Sequence, residues 1–319
     1  MSLFGFIPVA LFLLALLYLD SYKLVRLRTL VLLIAVGCVA AAVSLAINEV
    51  LLQTMSRRML TRYAAPVVEE ILKAIPVLWM IRTRRIGFLI DAAICGFAVG
   101  AGFALTENLY YFSKLAAAPP ALWVVRGFGT AVMHGGTTAI FAIVDKSKNA
   151  AVALVIAIVL HSLFNHFLLP PAMTTLLIVL VLPPLMVLAF AQSERYLQDW
   201  LGTGFDLDAS LIKAMRSGQF AESHAGQYLQ SLREHFDGSV LADMLCYLQL
   251  HAELSLRAKG VLMMRESGFA IDNAGVSEKL TELKFLKQSI GKTGELAIAP
   301  LIHRAPEDLW QLQLLRGKD

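Results

Sequence analysis

Between Met1 and about Gln192 the chain is a succession of apolar segments, each near the roughly 20 residues that a helix needs to cross a bilayer. We place them at approximately 4–20, 29–48, 65–81, 87–112, 123–144, 150–169 and 172–191. Hydrocarbon offers no water to backbone N–H and C=O groups, so segments of this length fold as helices that bond their own backbones. The expected fold class is therefore all-α: a polytopic helical membrane bundle of about seven transmembrane helices over residues 1–192, followed by a C-terminal soluble α-helical domain over residues 193–319. Composition agrees. Only 16% of the 319 residues are charged, against about 25% in a soluble domain, and the deficit falls in the first part of the chain.

The net charge of +4 is not a nucleic-acid signal, because the basic residues gather at the ends of apolar segments. Lys23, Arg26 and Arg28 follow the first segment; Arg82, Arg84, Arg85, Lys146 and Lys148 fall on the same side. The positive-inside rule then expects a multi-pass protein of the cell (inner or plasma) membrane, with its N-terminus outside and residues 193–319 cytoplasmic. Arg57, Arg58 and Arg62 lie on the other side and run against the rule; we read Met55–Arg62 as an amphipathic interfacial segment. The first segment lacks a basic leader and a small-x-small cleavage site, so it reads as a span and not as a signal peptide. Three cysteines make no disulfide framework.

The segment PVVEEILKAIP, Pro66 to Pro76, places Glu69, Glu70 and Lys73 within a span. One charge near the bilayer centre costs about 2.5–3.5 kcal/mol or more, so such groups persist where they face protein and have partners. At about 1.5 Å of rise per residue, Glu69 and Glu70 sit roughly 8 Å inside the outer end of the third span. Glu107 lies about as deep in the fourth span, His134 near the middle of the fifth, and His161 about 12 Å deep in the sixth, with Asn165 one turn shallower. Four consecutive spans thus carry their costly residues at similar depth, which points to one shared site. Glu69 and Lys73 are four residues apart on one face, as are Phe103 and Glu107, and His161 and Asn165. Gly96 and Gly100, joined by Gly102, let neighbouring backbones approach closely.

Taken in order, E-E-x-x-K at Glu69–Lys73, F-x-x-x-E at Phe103–Glu107, a lone intramembrane His134 and H-x-x-x-N at His161–Asn165 resemble the PrsW-type intramembrane proteases. These are related to the CAAX prenyl protease and bacteriocin-processing family. The run DAAICGFAVGAGFALTENLYYF, with Asp91 and Asn108, is similar to that family's second core helix. The resemblance covers about residues 60–170. It implies an intramembrane endopeptidase that cleaves a membrane protein substrate, such as an anti-sigma factor or another signalling protein, within or beside the lipid bilayer.

Peptide hydrolysis needs a base to activate water, a group to stabilise the oxyanion and an acid for the leaving amine. Two neighbouring carboxylates in a low dielectric do not both ionise comfortably, which suits one of them to proton transfer. Glu69 or Glu70 is the expected base. His161 and Asn165 orient the water and stabilise the oxyanion, Glu107 and His134 position them, and Lys73 balances charge. Phe103 packs, Arg126 snorkels or pairs with a carboxylate, and Asp91 caps its helix or pairs with the Arg82–Arg85 cluster. No cofactor is needed in that mechanism, towards which the CAAX-protease relatives lean. A Zn²⁺ version uses Glu107, His134 and His161 as ligands with a glutamate as base. The same buried groups also suit an ion- or proton-coupled transporter, although the two halves of the spanning region show no inverted repeat.

Residues 193–319 show helical periodicity in LDASLIKAMRSG and QYLQSLREHF, and SVLADMLCYLQLHAELSLRAKGVLMMRES reads as one helix or two. They carry no phosphate loop and no zinc spacing. We expect a cytoplasmic helical domain that is regulatory or partner-binding, with a cytoplasmic regulatory partner as one candidate.

Overall fold

The computed structural model describes residues 6–114, 119–267, 269, 275–302 and 306–316. Every regular element among them is helical. The chain divides into two compact units, Met1–Glu194 and Arg195–Asp319.

The first unit holds α1 (Ile7–Leu19), α2 (Leu27–Leu51), α3 (Ala65–Arg82), α4 (Leu89–Lys114), α5 (Pro120–Ser147), α6 (Ala150–Asn165) and the start of α7 (Pro171–Arg216). Of these, α2, α4, α5 and α7 are long and apolar enough to cross a membrane, and α1 and α6 are shorter apolar helices. The predicted first span begins at residue 4, and residues 4 and 5 lie outside the described residues. Helix α3 carries Glu69, Glu70, Lys73 and Arg82 within 18 residues, which sets it apart from the four candidate spans.

Helix α4 is the centre of this unit, with all residues from Ile90 to Ala104 buried. Its glycines explain how. A Cβ on Gly100 would lie 2.2 Å from the carbonyl oxygen of His134, and one on Gly96 would lie 2.5 Å from that of Thr138, so both glycines sit at the crossing with α5. Gly102 faces the other way: its Cβ would lie 2.0 Å from the Ile34 carbonyl on α2. Two residues are about 200° of helix, so Gly102 cannot share the face of Gly100.

The segment expected to lie at the interface before α3 is helical. Arg57–Met59 form a short turn, and Leu60–Ala64 form a π-helical turn that runs into α3. In that turn Ala65 N–H bonds the Leu60 carbonyl, and Pro66 has no N–H to offer the carbonyls of Thr61 and Arg62. Helix α6 takes them instead. Asn165 Nδ2 donates to Thr61 O at 2.9 Å, and Ser162 Oγ donates to Arg62 O at 2.6 Å. A second π-turn, Arg126–Ala131, lies inside α5 just before His134. Such turns recur at functional sites because they re-aim side chains.

The second unit contains the rest of α7, with α8 (His224–Ser231), α9 (Gly238–Glu266), α10 (Val276–Ala297) and α11 (Pro306–Arg316). The stretch read as one helix or two is one. Met244, Leu248, Leu254, Ala258 and Val261 recur along α9 at helical spacing and pack with Leu283, Leu286 and Ile290 of α10. The change of composition near residue 192 falls inside α7, where helical bonding continues although the side chains change character.

Candidate active site in the helix bundle

Helix α3 buries all three of its unusual residues: Glu69 is 9% exposed, Glu70 2% and Lys73 0%. Adjacent helical positions diverge by about 100°, so the two carboxylates meet different neighbours. Glu69 turns to α2, where Asn48 Nδ2 donates to its Oε1 at 3.3 Å. Glu70 turns to α5 and α6. Its Oε1 accepts from Lys73 Nζ at 2.6 Å, from Thr137 Oγ1 at 3.3 Å and from His161 Nδ1 at 2.7 Å. The four-residue spacing put Lys73 on the face of Glu69, where it can partly neutralise the pair of carboxylates. The ion pair it forms is with Glu70, one turn away at three residues.

Lys73 Nζ also lies 3.2 Å from His134 Nδ1 and 5.1 Å from the centre of the Phe103 ring. An ammonium only donates, so Nδ1 of His134 accepts and the ring proton sits on Nε2. That nitrogen points to Glu107 Oε2 at 3.1 Å. For His161 the order is reversed. Nδ1 faces the Glu70 carboxylate and carries the proton, leaving the Nε2 lone pair 3.8 Å from Glu69 Oε2. The two imidazoles meet edge to face with centroids 4.9 Å apart. Glu107 is flanked by Arg126, whose Nη2 lies 3.4 Å away. Arg126 is held by an Nε donation to Asn108 Oδ1 at 3.0 Å and by the Tyr111 ring at 4.0 Å.

A cavity of about 710 Å³ opens among these helices, and Glu69, Phe103, Glu107, His134, His161 and Asn165 all line it. Glu70 and Lys73 do not line it; they stand behind His161 and His134. Arg57, which ran against the charge rule, is also on the cavity wall. Asn165 reaches the cavity while its amide nitrogen is committed to Thr61. Asp91 lies apart: its carboxylate accepts from Gly87 N at 2.8 Å and Phe88 N at 2.7 Å, capping α4. Arg82 pairs with Asp145 at 3.2 Å.

Two contributors were not anticipated. Asn48 is a polar residue near the end of the apolar α2, a signal of the same kind as Glu69 but uncharged and so easily passed over. Thr137 sits three residues after His134, with nothing to separate it from an ordinary core threonine.

The donor set fits a metal ion. Glu69, His134 and His161 are buried and each offers an atom within 4.8 Å of the others. Glu69 here takes the place in the trio that the sequence assigned to Glu107. His161 has the arrangement of a ligating histidine, with one ring N–H on a carboxylate and the other nitrogen free. His134 faces Lys73 through Nδ1 and donates its Nε2–H to Glu107, so to ligate it would first have to give up that proton.

Residues 25–189, just over half of the 319-residue chain, match the PrsW family of intramembrane metalloproteases, and the chain belongs to that family. No curated protein and no solved structure matches the chain. The family and the apolar helices together make this an integral membrane protein and a hydrolase of the protease class. The match agrees with the resemblance drawn from the motifs and favours a peptidase over a coupled transporter.

Proposed function

We propose that the chain is a multi-pass endopeptidase of the cell membrane that hydrolyses a peptide bond of a membrane protein substrate inside the Glu69–His134–His161 cavity. The observation that carries this reading is the convergence of two carboxylates and two imidazoles, from α3, α4, α5 and α6, on one cavity in an apolar bundle. Glu69 is the carboxylate of the α3 pair that faces the cavity, and we assign it the removal of the proton from water. His161, protonated on Nδ1 by its bond to Glu70, holds its basic Nε2 towards Glu69. His134 presents an N–H to Glu107, and these two position the reacting groups. Asn165 is assigned to orient water and substrate at the cavity wall, and Lys73 to balance the charge of Glu70.

Where a metal is bound, Glu69, His134 and His161 would hold it, and it would supply an acidified water and a polarised substrate carbonyl. Glu107 is then the carboxylate left on the cavity wall to move protons. We further assign seven membrane crossings, an outside N-terminus and a cytoplasmic second unit that binds a regulatory partner. The charges at Lys23, Arg82–Arg85, Lys146 and Lys148 support that orientation.

The test compares membrane proteomes of cells carrying the wild-type chain with cells carrying Glu70→Gln or His161→Ala. Fragments that appear only with the wild type are the expected outcome, with cleavage lowered about a hundredfold or more in either variant. Equal cleavage by both variants rejects the assignment. Metal analysis of the purified protein, with activity before and after chelation, separates the two forms of the mechanism.

A further inference from the structure

The second unit contains a cavity of about 970 Å³ whose walls, from Tyr196 to Gln311, all belong to that unit. Small-molecule pockets hold roughly 300–1,000 Å³ and are mostly apolar, with a few placed polar groups. This cavity has that make-up. Leu211, Ala214, Leu248 and Ile302 line it beside the Trp200 ring. Trp200 is held in place by donating Nε1–H to Asp308 Oδ1 at 3.1 Å. The peptidase reading makes no use of this space.

Lys259, Asp208 and Ser255 stand together on its wall. A buried ion pair often gives no more stability than apolar side chains would, and a glycine inside a helix costs stability too. The chain accepts both here. A Cβ on Gly204, within α7, would lie 2.7 Å from Lys259 Cε and 2.8 Å from its Nζ, so the glycine makes room for the ammonium. The result is a carboxylate held by one oxygen. Asp208 Oδ2 accepts from Lys259 Nζ at 2.6 Å and from the Ser255 hydroxyl. Asp208 Oδ1 accepts no hydrogen bond among the described residues. Unlike Gln311 Oε1, which is unpartnered but sealed, it is accessible, and the Asp208 side chain keeps 13% of its surface open against 2% for Lys259. Counted with neutral histidines, the cavity wall carries three carboxylates, on Asp199, Asp208 and Asp308, and one ammonium, on Lys259. A cleft with an excess of one charge draws the opposite one. An open carboxylate oxygen takes an N–H or O–H donor, most strongly a charged one.

We propose that this cavity binds a small organic ammonium compound, an apolar body carrying a primary or secondary amine. Its ammonium N–H donates to Asp208 Oδ1, and its apolar body lies against Trp200 and Leu211. Lys259 is then a positioning residue: it occupies Oδ2 and leaves Oδ1 as the oxygen that meets the ligand. An anion of the same shape meets surplus carboxylates, and a quaternary ammonium brings charge but no donor.

The test is a binding titration followed by fluorine NMR, with the full-length protein in phosphatidylcholine nanodiscs and empty nanodiscs as the blank. The probe is para-fluorophenethylamine. Two analogues accompany it: para-fluorophenylpropanoate, which is anionic, and para-fluorobenzyltrimethylammonium, which has no N–H. The amine should bind about tenfold to a hundredfold more tightly than either analogue. Asp208→Asn should weaken its binding about tenfold or more. Because that change leaves the buried Lys259 ammonium without its carboxylate, the double variant Lys259→Met with Asp208→Leu is measured as well. It keeps an apolar wall with no stranded charge, and it should show the same loss with its helical circular dichroism retained. Equal binding of the three probes, no binding of the amine, or wild-type binding by the folded double variant overturns the proposal. The readout is independent of cleavage, so it stands or falls apart from the peptidase reading.

Discussion

Each of the two units buries a lysine almost completely. Lys73 is 0% exposed and Lys259 2%. Each ammonium lies 2.6 Å from a carboxylate, Glu70 or Asp208, and 5.1 Å from the centre of an aromatic ring, Phe103 or Trp200. The surroundings differ. Glu70 also receives His161, and Lys73 also touches His134, so the membrane ion pair joins two imidazoles at the wall of a cavity. Asp208 receives the Ser255 hydroxyl as well, and Gln311 donates to Ser255 at 2.9 Å, so the second network, which also lines a cavity, joins hydroxyl and amide groups and no imidazole. A buried ion pair is therefore no marker of chemistry by itself. In the second unit it locks helices together, an arrangement that often brings no net gain over apolar packing. What distinguishes the first unit is that its ion pair sets the protonation of two histidines.

That contrast makes three predictions of decreasing size. Lys73→Met strands the Glu70 carboxylate and frees the His134 tautomer. It should cost about 3–5 kcal/mol of stability and lower cleavage about a hundredfold or more. Thermal unfolding in detergent and peptide cleavage report the two effects, and retained cleavage in folded variant would remove the distinction. Lys259→Met should destabilise the second unit by about 2–4 kcal/mol, since Asp208 keeps some contact with water, while the rate per folded molecule is unchanged. Hydrogen exchange along α9 measures the loss, and a second change, Asp208→Leu, should restore much of it.

The smallest effect belongs to the half-exposed pair of Lys279 and Glu253, 2.7 Å apart. The hydrogen bond from Lys279 holds the Glu253 carboxyl below the usual range. A carboxyl depressed in the folded state contributes stability above its unfolded value of about 4.3, and that contribution is lost as pH falls through the folded value. Lys279→Met should cost only about 0.2–1 kcal/mol at pH 7, with the difference from wild type vanishing in acid. Denaturant unfolding across that pH range checks it; an equal cost in acid would mean lost packing of the lysine stem.

Legibility followed the cost of each residue. Glu69, Glu70, Glu107, His134 and His161 stood out because a polar group in a span needs a reason to be there, and all five meet in one network. The same logic fails in the second unit, where a lysine on an amphipathic helix is ordinary, so Lys259 passed unremarked. Asn48 was missed because a lone amide near a helix end is cheap, and Thr137 because a core threonine usually bonds its own helix, as it also does here at His134 O. The choice of Glu70 over Glu69 by Lys73 depended on side-chain rotamers, which spacing does not specify. Asn165 is legible as a partner of His161 on one face, yet its amide nitrogen serves a carbonyl that Pro66 and a π-turn leave without a donor.

The sequence alone determined that most of this chain is helical and apolar, and which helices carry the costly groups. Those facts follow from the local rules of length, period and desolvation. Only the tertiary structure decided which carboxylate faces the cavity and which nitrogen of each histidine meets which partner. These depend on the directions in which neighbouring side chains point across a helix crossing, and no single helix contains that information.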